Sequence, residues 1–176
     1  LGRILTKGKA LYLAYDQGLE HGPSWDFNDK NIDPLFVLDI AKKAKYNAVI
    51  FQKGVAEKYN SEIKKSRVPL ILKLNGKTNL RKGEPVSAQI ASINEAVKVG
   101  AVAVGFTIYV GSEFESKMVE EFSKIEEEAH ALGIPVIAWI YPRGKGIQER
   151  SPRELLAYAS RVGLELGADI VKIHWN

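Results

Sequence analysis

The sequence predicts an α/β fold of the (β/α)8 TIM-barrel family, with about six βα units present in this chain. Three observations predict it. Short apolar runs alternate with longer amphipathic stretches, the pattern of a parallel sheet with right-handed crossover helices. No G-x-G-x-x-G follows the first run, which disfavours the dinucleotide-binding version of an open doubly wound sheet. Polar residues recur at the C-terminal ends of the runs, where barrel enzymes place their chemistry.

The strand candidates, in order, are Ala10–Asp16, Ala48–Gln52, Pro69–Asn75, Val102–Tyr109, Pro135–Tyr141 and Asp169–Trp175. Each is rich in Val, Ile, Leu or aromatics and bounded by Gly, Pro or Asn. Continuous apolar runs of this length suit strands buried on both faces. Asp33-Pro34 opens a helix to about Lys45, and Val55–Lys65 reads as one short polar helix. Ser87–Val99 places Ile90, Ile93, Ala96 and Val97 at helical spacing, and Glu113–Leu132 forms a long acidic helix. Ser151-Pro152-Arg153-Glu154 supplies an N-cap, a first-turn proline and a capping-box glutamate for a helix to Leu166. Gly100, Gly133 and Gly167 each stand between a helix and a strand, where a left-handed cap residue belongs. No linker or low-complexity segment divides residues 1–176, so a single (β/α) barrel domain lacking the last two strands is expected.

Composition excludes several function classes. Of 176 residues, 45% are hydrophobic, ordinary for a globular domain and too apolar for disorder. No apolar run reaches the roughly 18–20 residues of a membrane span. The stretch Leu1–Lys9 has no apolar core or cleavage site of a signal peptide, which points to the cytoplasm. Absence of Cys removes disulfides, thiolate metal sites and a cysteine nucleophile. His21, His130 and His174 lie too far apart for a local zinc motif. A net charge of +4 is mild, and its basic residues are scattered, the densest stretch being Lys64-Lys65-Ser66-Arg67. That is compatible with phosphorylated substrates or with no charged partner at all, and argues against nucleic acid, which selects a clustered basic face.

Side chains alternate faces along a strand. In Ile170–Trp175, Lys172 and His174 share one face, whereas Val171, Ile173 and Trp175 share the helix-facing one. Applied to every run, the rule gathers Asp16, Gln52, Lys73, Asn75, Thr107, Tyr141, Lys172 and His174 in one lumen. Burying a lysine is costly unless it is paired or neutral, and desolvation or a neighbouring cation favours the neutral amine. A neutral amine attacks carbonyls and forms a Schiff base. The protonated iminium is an electron sink, which is what carbon–carbon cleavage and formation require. Tyr141 is then placed to move a proton, and Asp16 to orient groups or act as a base. Blander roles fit the same residues one by one. Asp16 can cap a turn before Gly18, and Lys73 can be its ion-pair partner. Tyr141 can pack, and His21 and His174 can be hydrogen-bonded fixtures. His130 reads as part of a solvated helix face, and Asp29 and Asp33 as turn and cap residues.

Six ordered segments carry a resemblance. They are Ala14-Tyr15-Asp16-Gln17-Gly18-Leu19-Glu20-His21-Gly22-Pro23, Phe51-Gln52-Lys53-Gly54, Leu72-Lys73-Leu74-Asn75-Gly76-Lys77-Thr78, Gly105-Phe106-Thr107-Ile108-Tyr109, Trp139-Ile140-Tyr141-Pro142-Arg143-Gly144 and Gly167-Ala168-Asp169-Ile170-Val171-Lys172. Together they resemble the archaeal-type (DhnA-like) class I fructose-bisphosphate aldolases over essentially the whole chain. The resemblance implies that Lys172 is the Schiff-base lysine and Tyr141 the proton donor or acceptor at the carbanion carbon. It implies that Asp16 lies beside the substrate carbonyl and hydroxyls, and that Gln17, His21, Trp139 and Arg143 line the pocket. Lys73 and His174 complete the expected substrate-binding set. The reaction implied is reversible, metal-independent and cofactor-free cleavage of fructose 1,6-bisphosphate to dihydroxyacetone phosphate and glyceraldehyde 3-phosphate. Homo-oligomers of the full-length form are implied too.

Two departures stand out. Gln17 replaces a histidine frequent in archaeal members, and His174 stands where some have lysine. A complete barrel takes roughly 250 residues, and the family's Gly-rich phosphate-binding turns after the seventh and eighth strands are not in this chain. Alternatives therefore stand beside the aldolase: a 2-amino-3,7-dideoxy-D-threo-hept-6-ulosonate synthase-type transaldol condensation, a metal-dependent barrel lyase, or a fragment that needs a partner chain.

Overall fold

The computed structural model describes residues 1–22, 26–147 and 149–174. The elements are β1 (Tyr12–Tyr15), α1 (Gln17–Glu20), α2 (Pro34–Lys43), β2 (Ala48–Gln52), α3 (Lys53–Lys58), α4 (Asn60–Ser66), β3 (Leu70–Lys73), β4 (Asn75–Gly76), β5 (Ala88–Gln89), α5 (Ile93–Val99), β6 (Ala103–Val110), α6 (Glu115–Ala131), β7 (Val136–Pro142), α7 (Pro152–Glu165) and β8 (Ile170–Lys172). Six strands form one sheet in the order β1-β2-β3-β6-β7-β8, with every neighbouring pair parallel. The order has no reversal. A doubly wound sheet adds strands in both directions from a switch point, whereas a barrel adds each new strand on the same side. The sheet is therefore the six-stranded part of a (β/α) barrel.

Strand parity divides the core in two. Tyr15, Val49, Phe51, Leu70, Leu72, Val104, Phe106, Ile108, Ala138 and Ile140 pack outward with helix residues such as Val37, Ile63, Ala96, Phe122 and Ala129. Ala48, Ile50, Ile71, Ala103, Ile137 and Trp139 pack inward in a second, smaller cluster. Ile4, only 1% exposed, joins this inner cluster. Leu1–Lys9 thus covers the N-terminal end of the sheet, and Asn47 Nδ2 holds it there by donating to Thr6 Oγ1 at 2.9 Å.

The helix ends follow the local chemistry. Asp33 caps α2, its carboxylate accepting from Leu35 N. Ser151 and Glu154 make the expected capping box on α7. Gly100, Gly133 and Gly167 all adopt positive φ, as cap glycines do.

Two helix expectations need correction. The stretch 55–65 is not one helix: α3 and α4 meet at Tyr59. There Asn60 Nδ2 donates to Val99 O at the end of α5, at 2.6 Å. An asparagine that binds backbone elsewhere favours a helix boundary over a helix interior. Nor does a helix fill 87–99. Ala88–Gln89 pairs antiparallel with Asn75–Gly76, and α5 starts at Ile93 under a second capping box, Ser92 with Glu95. The Ser-x-x-Glu signal was present in the sequence, and the apolar spacing from Ile90 masked it. The predicted outward position of Trp175 lies outside the described residues.

Candidate active site

At the C-terminal end of the sheet lies a cleft of about 610 Å³. Its walls come from the ends of β1, β3, β6, β7 and β8. All nine residues proposed from the sequence reach it: Asp16, Gln17, His21, Lys73, Trp139, Tyr141, Arg143, Lys172 and His174. Two members of the parity set do not. Asn75 is fully buried, donating from Nδ2 to Ser87 O and Thr107 O and accepting from Thr107 N. It clasps the loop after β3 to β6. Gln52 Nε2 donates to Asn75 O at 3.3 Å. Parity set both side chains on the lumen side, and backbone groups above the strand ends took up their hydrogen bonds.

On one side of the cleft the chain turns sharply after β1. Asp16 is the N-cap residue of α1, a single turn that carries Gln17, Glu20 and then His21 to the cleft wall. His21 Nδ1 pairs with Asp26 Oδ2 at 2.5 Å, the hydrogen-bonded arrangement its blander reading expects. On the neighbouring wall, Lys73 leaves the end of β3 almost fully buried. Its ammonium donates to Asp16 Oδ2 at 2.9 Å and to Glu20 Oε1 at 2.7 Å. Burial alone would lower the Lys73 pKa, but the two carboxylates outweigh it and hold the group above the ordinary lysine value.

Across the cleft, Trp139 and Tyr141 project inward from β7, and Arg143 follows. Trp139 lies on Gly105 of β6, whose missing side chain makes room for the indole. The Arg143 guanidinium sits 5.3 Å from the centre of the Tyr141 ring, within reach of a cation–π attraction. From β8, Lys172 Nζ donates to the Tyr141 hydroxyl at 2.7 Å.

The Lys172 side chain enters the cleft from β8, the last strand of the sheet. The buried amine of the cleft is Lys73, and it is ion-paired. His130 lies on the solvated face of α6, as expected, and is ion-paired there. Its Nδ1 meets Glu126 Oε1 at 2.7 Å and its Nε2 meets Asp169 Oδ2 at 2.9 Å, so it links α6 to the start of β8.

Four cleft residues were missed as site residues: Glu20, Lys77, Asn79 and Tyr109. Two had a signal. Glu20 stands four residues after Asp16, the spacing that sets both carboxylates on one side of a helical turn. Tyr109 continues the inward parity of Gly105 and Thr107 by one more step. Its ring lies 6.1 Å from that of Tyr141. Burial, then the charge of Glu20, pushes the Tyr109 phenol well above its ordinary range, so it remains protonated. Among the described residues, no group of three or more His, Asp or Glu side chains is arranged to hold a metal ion.

A parallel barrel sheet with a lysine, a tyrosine and a carboxylate at its strand ends defines a class of enzyme. The chain belongs to the DeoC/LacD family of aldolases, whose profile matches residues 10–176. Within it, the chain is 50% identical over 172 residues to a protein of Thermoproteus tenax named fructose-bisphosphate aldolase class 1, covering 97% of this chain and 64% of that protein. The crystal structure of an archaeal fructose 1,6-bisphosphate aldolase superposes with a TM-score of 0.89 at 49% identity, over 98% of this chain and 68% of the other. A further archaeal fructose-1,6-bisphosphate aldolase, solved with its catalytic Lys covalently bound to the carbinolamine intermediate of the substrate, matches at 48% identity and TM-score 0.88, over 97% of this chain and 67% of the other. The chain spans just under two thirds of the length of the curated relatives it matches.

Proposed function

We propose that this chain carries the covalent chemistry of a class I fructose-1,6-bisphosphate aldolase, with Lys172 as nucleophile. One observation carries the reading: the Lys172 amine and the Tyr141 hydroxyl are hydrogen-bonded at 2.7 Å inside a cleft that also holds Asp16. The similar solved aldolase with a lysine-bound carbinolamine supports it. Lys172 Nζ adds to the substrate ketone and water leaves, giving an iminium. The C3–C4 bond then breaks, its electron pair entering the iminium as an enamine, and glyceraldehyde 3-phosphate departs. Asp16 takes the proton of the cleaved hydroxyl. Tyr141 gives a proton to the enamine carbon, water releases dihydroxyacetone phosphate and the free amine, and the proton held by Asp16 passes through solvent to restore Tyr141. Gln17, His21, Trp139, Arg143, Lys73 and His174 line the path the phosphorylated sugar occupies. Catalysis in this reading uses no cofactor and no metal.

The test is borohydride trapping with dihydroxyacetone phosphate, read by intact mass and peptide mapping. The expected result is one reduced adduct per chain on Lys172, lost in Lys172→Ala. Tyr141→Phe should keep the adduct and lose about 10²- to 10⁴-fold in turnover, the usual scale for a proton-transfer group. A folded wild-type chain that traps nothing would overturn the reading.

The same reading treats residues 1–176 as one (β/α) barrel domain, acting in the cytoplasm and self-associating. No helix among the described residues is long and apolar enough to cross a membrane.

A further inference from the structure

Three lysines line the cleft, Lys73, Lys77 and Lys172, and Lys73 and Lys172 have different partners. Lys172 Nζ donates to the Tyr141 hydroxyl at 2.7 Å. The Lys73 side chain is 4% exposed and meets two carboxylates, Asp16 with 20% of its side chain exposed and Glu20 with 9%. An ammonium so buried loses most of its hydration, and a single carboxylate compensates that loss poorly. The second carboxylate has no place in the proposed reaction, and Glu20 makes no other hydrogen bond from its side chain to a described residue than the one to Lys73.

We infer that Glu20 is a positioning residue: by gripping Lys73 jointly with Asp16, it withholds Lys73 from carbonyl chemistry, so that Lys172 alone forms the covalent adduct. The inference rests on the Schiff-base reading for its consequence. Its physical basis is independent of that reading. A lysine that lines a cleft beside a ketone can form an imine only from its neutral amine. Two carboxylates suppress that form by accepting the ammonium protons at Asp16 Oδ2 and Glu20 Oε1. The charged and titratable groups around the triad come from every wall. Tyr109 lines the cleft from β6, Tyr141 and Arg143 from β7, Lys172 and then His174 from β8, Lys77 from the stretch after β4, and His21 from the same turn. Tyr109 is kept protonated in part by the Glu20 charge, so it offers Lys73 no compensating anion. With Glu20 neutralised, Lys73 would keep one carboxylate against nearly full burial, and its neutral amine would gain population.

The experiment compares wild type, Glu20→Gln and Glu20→Gln/Lys73→Arg, each checked for native structure by near-ultraviolet circular dichroism. Formaldehyde with cyanoborohydride methylates neutral amines, and peptide mapping gives the rate at each lysine. Lys73 should be the slowest-modified lysine in wild type and should speed up by at least about tenfold in Glu20→Gln. Borohydride trapping with dihydroxyacetone phosphate should then place a second adduct on Lys73 in Glu20→Gln, and none at position 73 in the double variant. An unchanged Lys73 methylation rate in folded Glu20→Gln overturns the inference. So does a faster rate with the adduct still confined to Lys172. If wild type shows no Lys172 adduct, the aldolase reading fails by itself, and the methylation rates still decide whether Glu20 holds Lys73 unreactive. Simple loss of stability in Glu20→Gln would also speed methylation at the half-buried Lys53, which is ion-paired to Glu95 away from the cleft, and not at Lys73 alone.

Discussion

A Cβ on Gly105 would collide with Cζ3 and Cη2 of Trp139, so one absent side chain on β6 sets the tilt of the cleft's indole. Trp139 is 4% exposed and packs in the inner cluster, which leaves it no alternative seat. Gly105→Ala should therefore cost about 1–3 kcal/mol from overpacking, measured by urea unfolding. It should also shift the Trp139 emission and raise KM, since the indole lines the cleft. A variant with unchanged unfolding and emission would show that the indole repacks freely. At this scale the sequence was informative, because parity along a strand is a backbone property. It placed Asp16, Lys73, Thr107, Tyr141, Lys172 and His174 correctly at one cleft. What it could not supply was partner choice. Asn75 and Gln52 have the right parity and are used up by backbone groups, and Lys73 took two carboxylates where one was foreseen.

Elements are joined by charged clasps as well as by apolar packing. Asp169 Oδ2 accepts from Val136 N at 2.8 Å and meets His130 Nε2 at 2.9 Å, tying the starts of β7 and β8 to the end of α6. The Asp169 hydrogen bond, aided by the charges of Asp169 and Glu126, holds the His130 pKa above the ordinary 6.5. A raised imidazole value means the charged form is favoured by folding. The stabilisation is complete below pH 6.5 and is lost as pH rises through the raised value. Burial raises the Asp169 carboxyl, but the Val136 N–H and the His130 ring outweigh it and hold the group below its ordinary 3.8. That contribution is present above pH 3.8 and is lost on acidification. With 39% of the His130 side chain exposed, solvent screening limits the effect to less than about 1 kcal/mol. Chemical denaturation from pH 5 to 9 should show stability declining on the alkaline side in wild type and a flatter profile in His130→Ala. Parallel profiles would rule the clasp out. Element existence was legible here through caps and periodicity. Element limits were lost where a side chain bonds across the structure, as Asn60 does to Val99 O, or where a dipeptide such as Ala88–Gln89 pairs with a distant one.

For the molecule as a whole, the strand order decides the architecture. Consecutive addition of parallel strands puts every C-terminal end on one rim, which is why residues as distant as Asp16 and Lys172 share a cleft. The opposite rim is covered by Leu1–Lys9, with Ile4 seated against Ile50, Ile71 and Ile137. Ile4→Ala should destabilise the fold by about 2–5 kcal/mol, as large-to-small changes at full burial do. Urea titration would measure it, and a loss below about 1 kcal/mol would mean the segment merely rests on the sheet.

The sequence by itself determined the alternation of strands and helices, the helix caps, the inward parity and the segments shared with the aldolases. All of these depend on local backbone geometry or on residue order. Only the tertiary structure decided that Lys73 is the buried, doubly paired lysine and Lys172 the one bonded to Tyr141. It also decided that Glu20 belongs to the cleft and that Ile4 belongs to the core. Burial and charge pairing depend on which neighbours the sheet order brings together. Two lysines on the same face of their strands differ in chemistry only once those neighbours are in place.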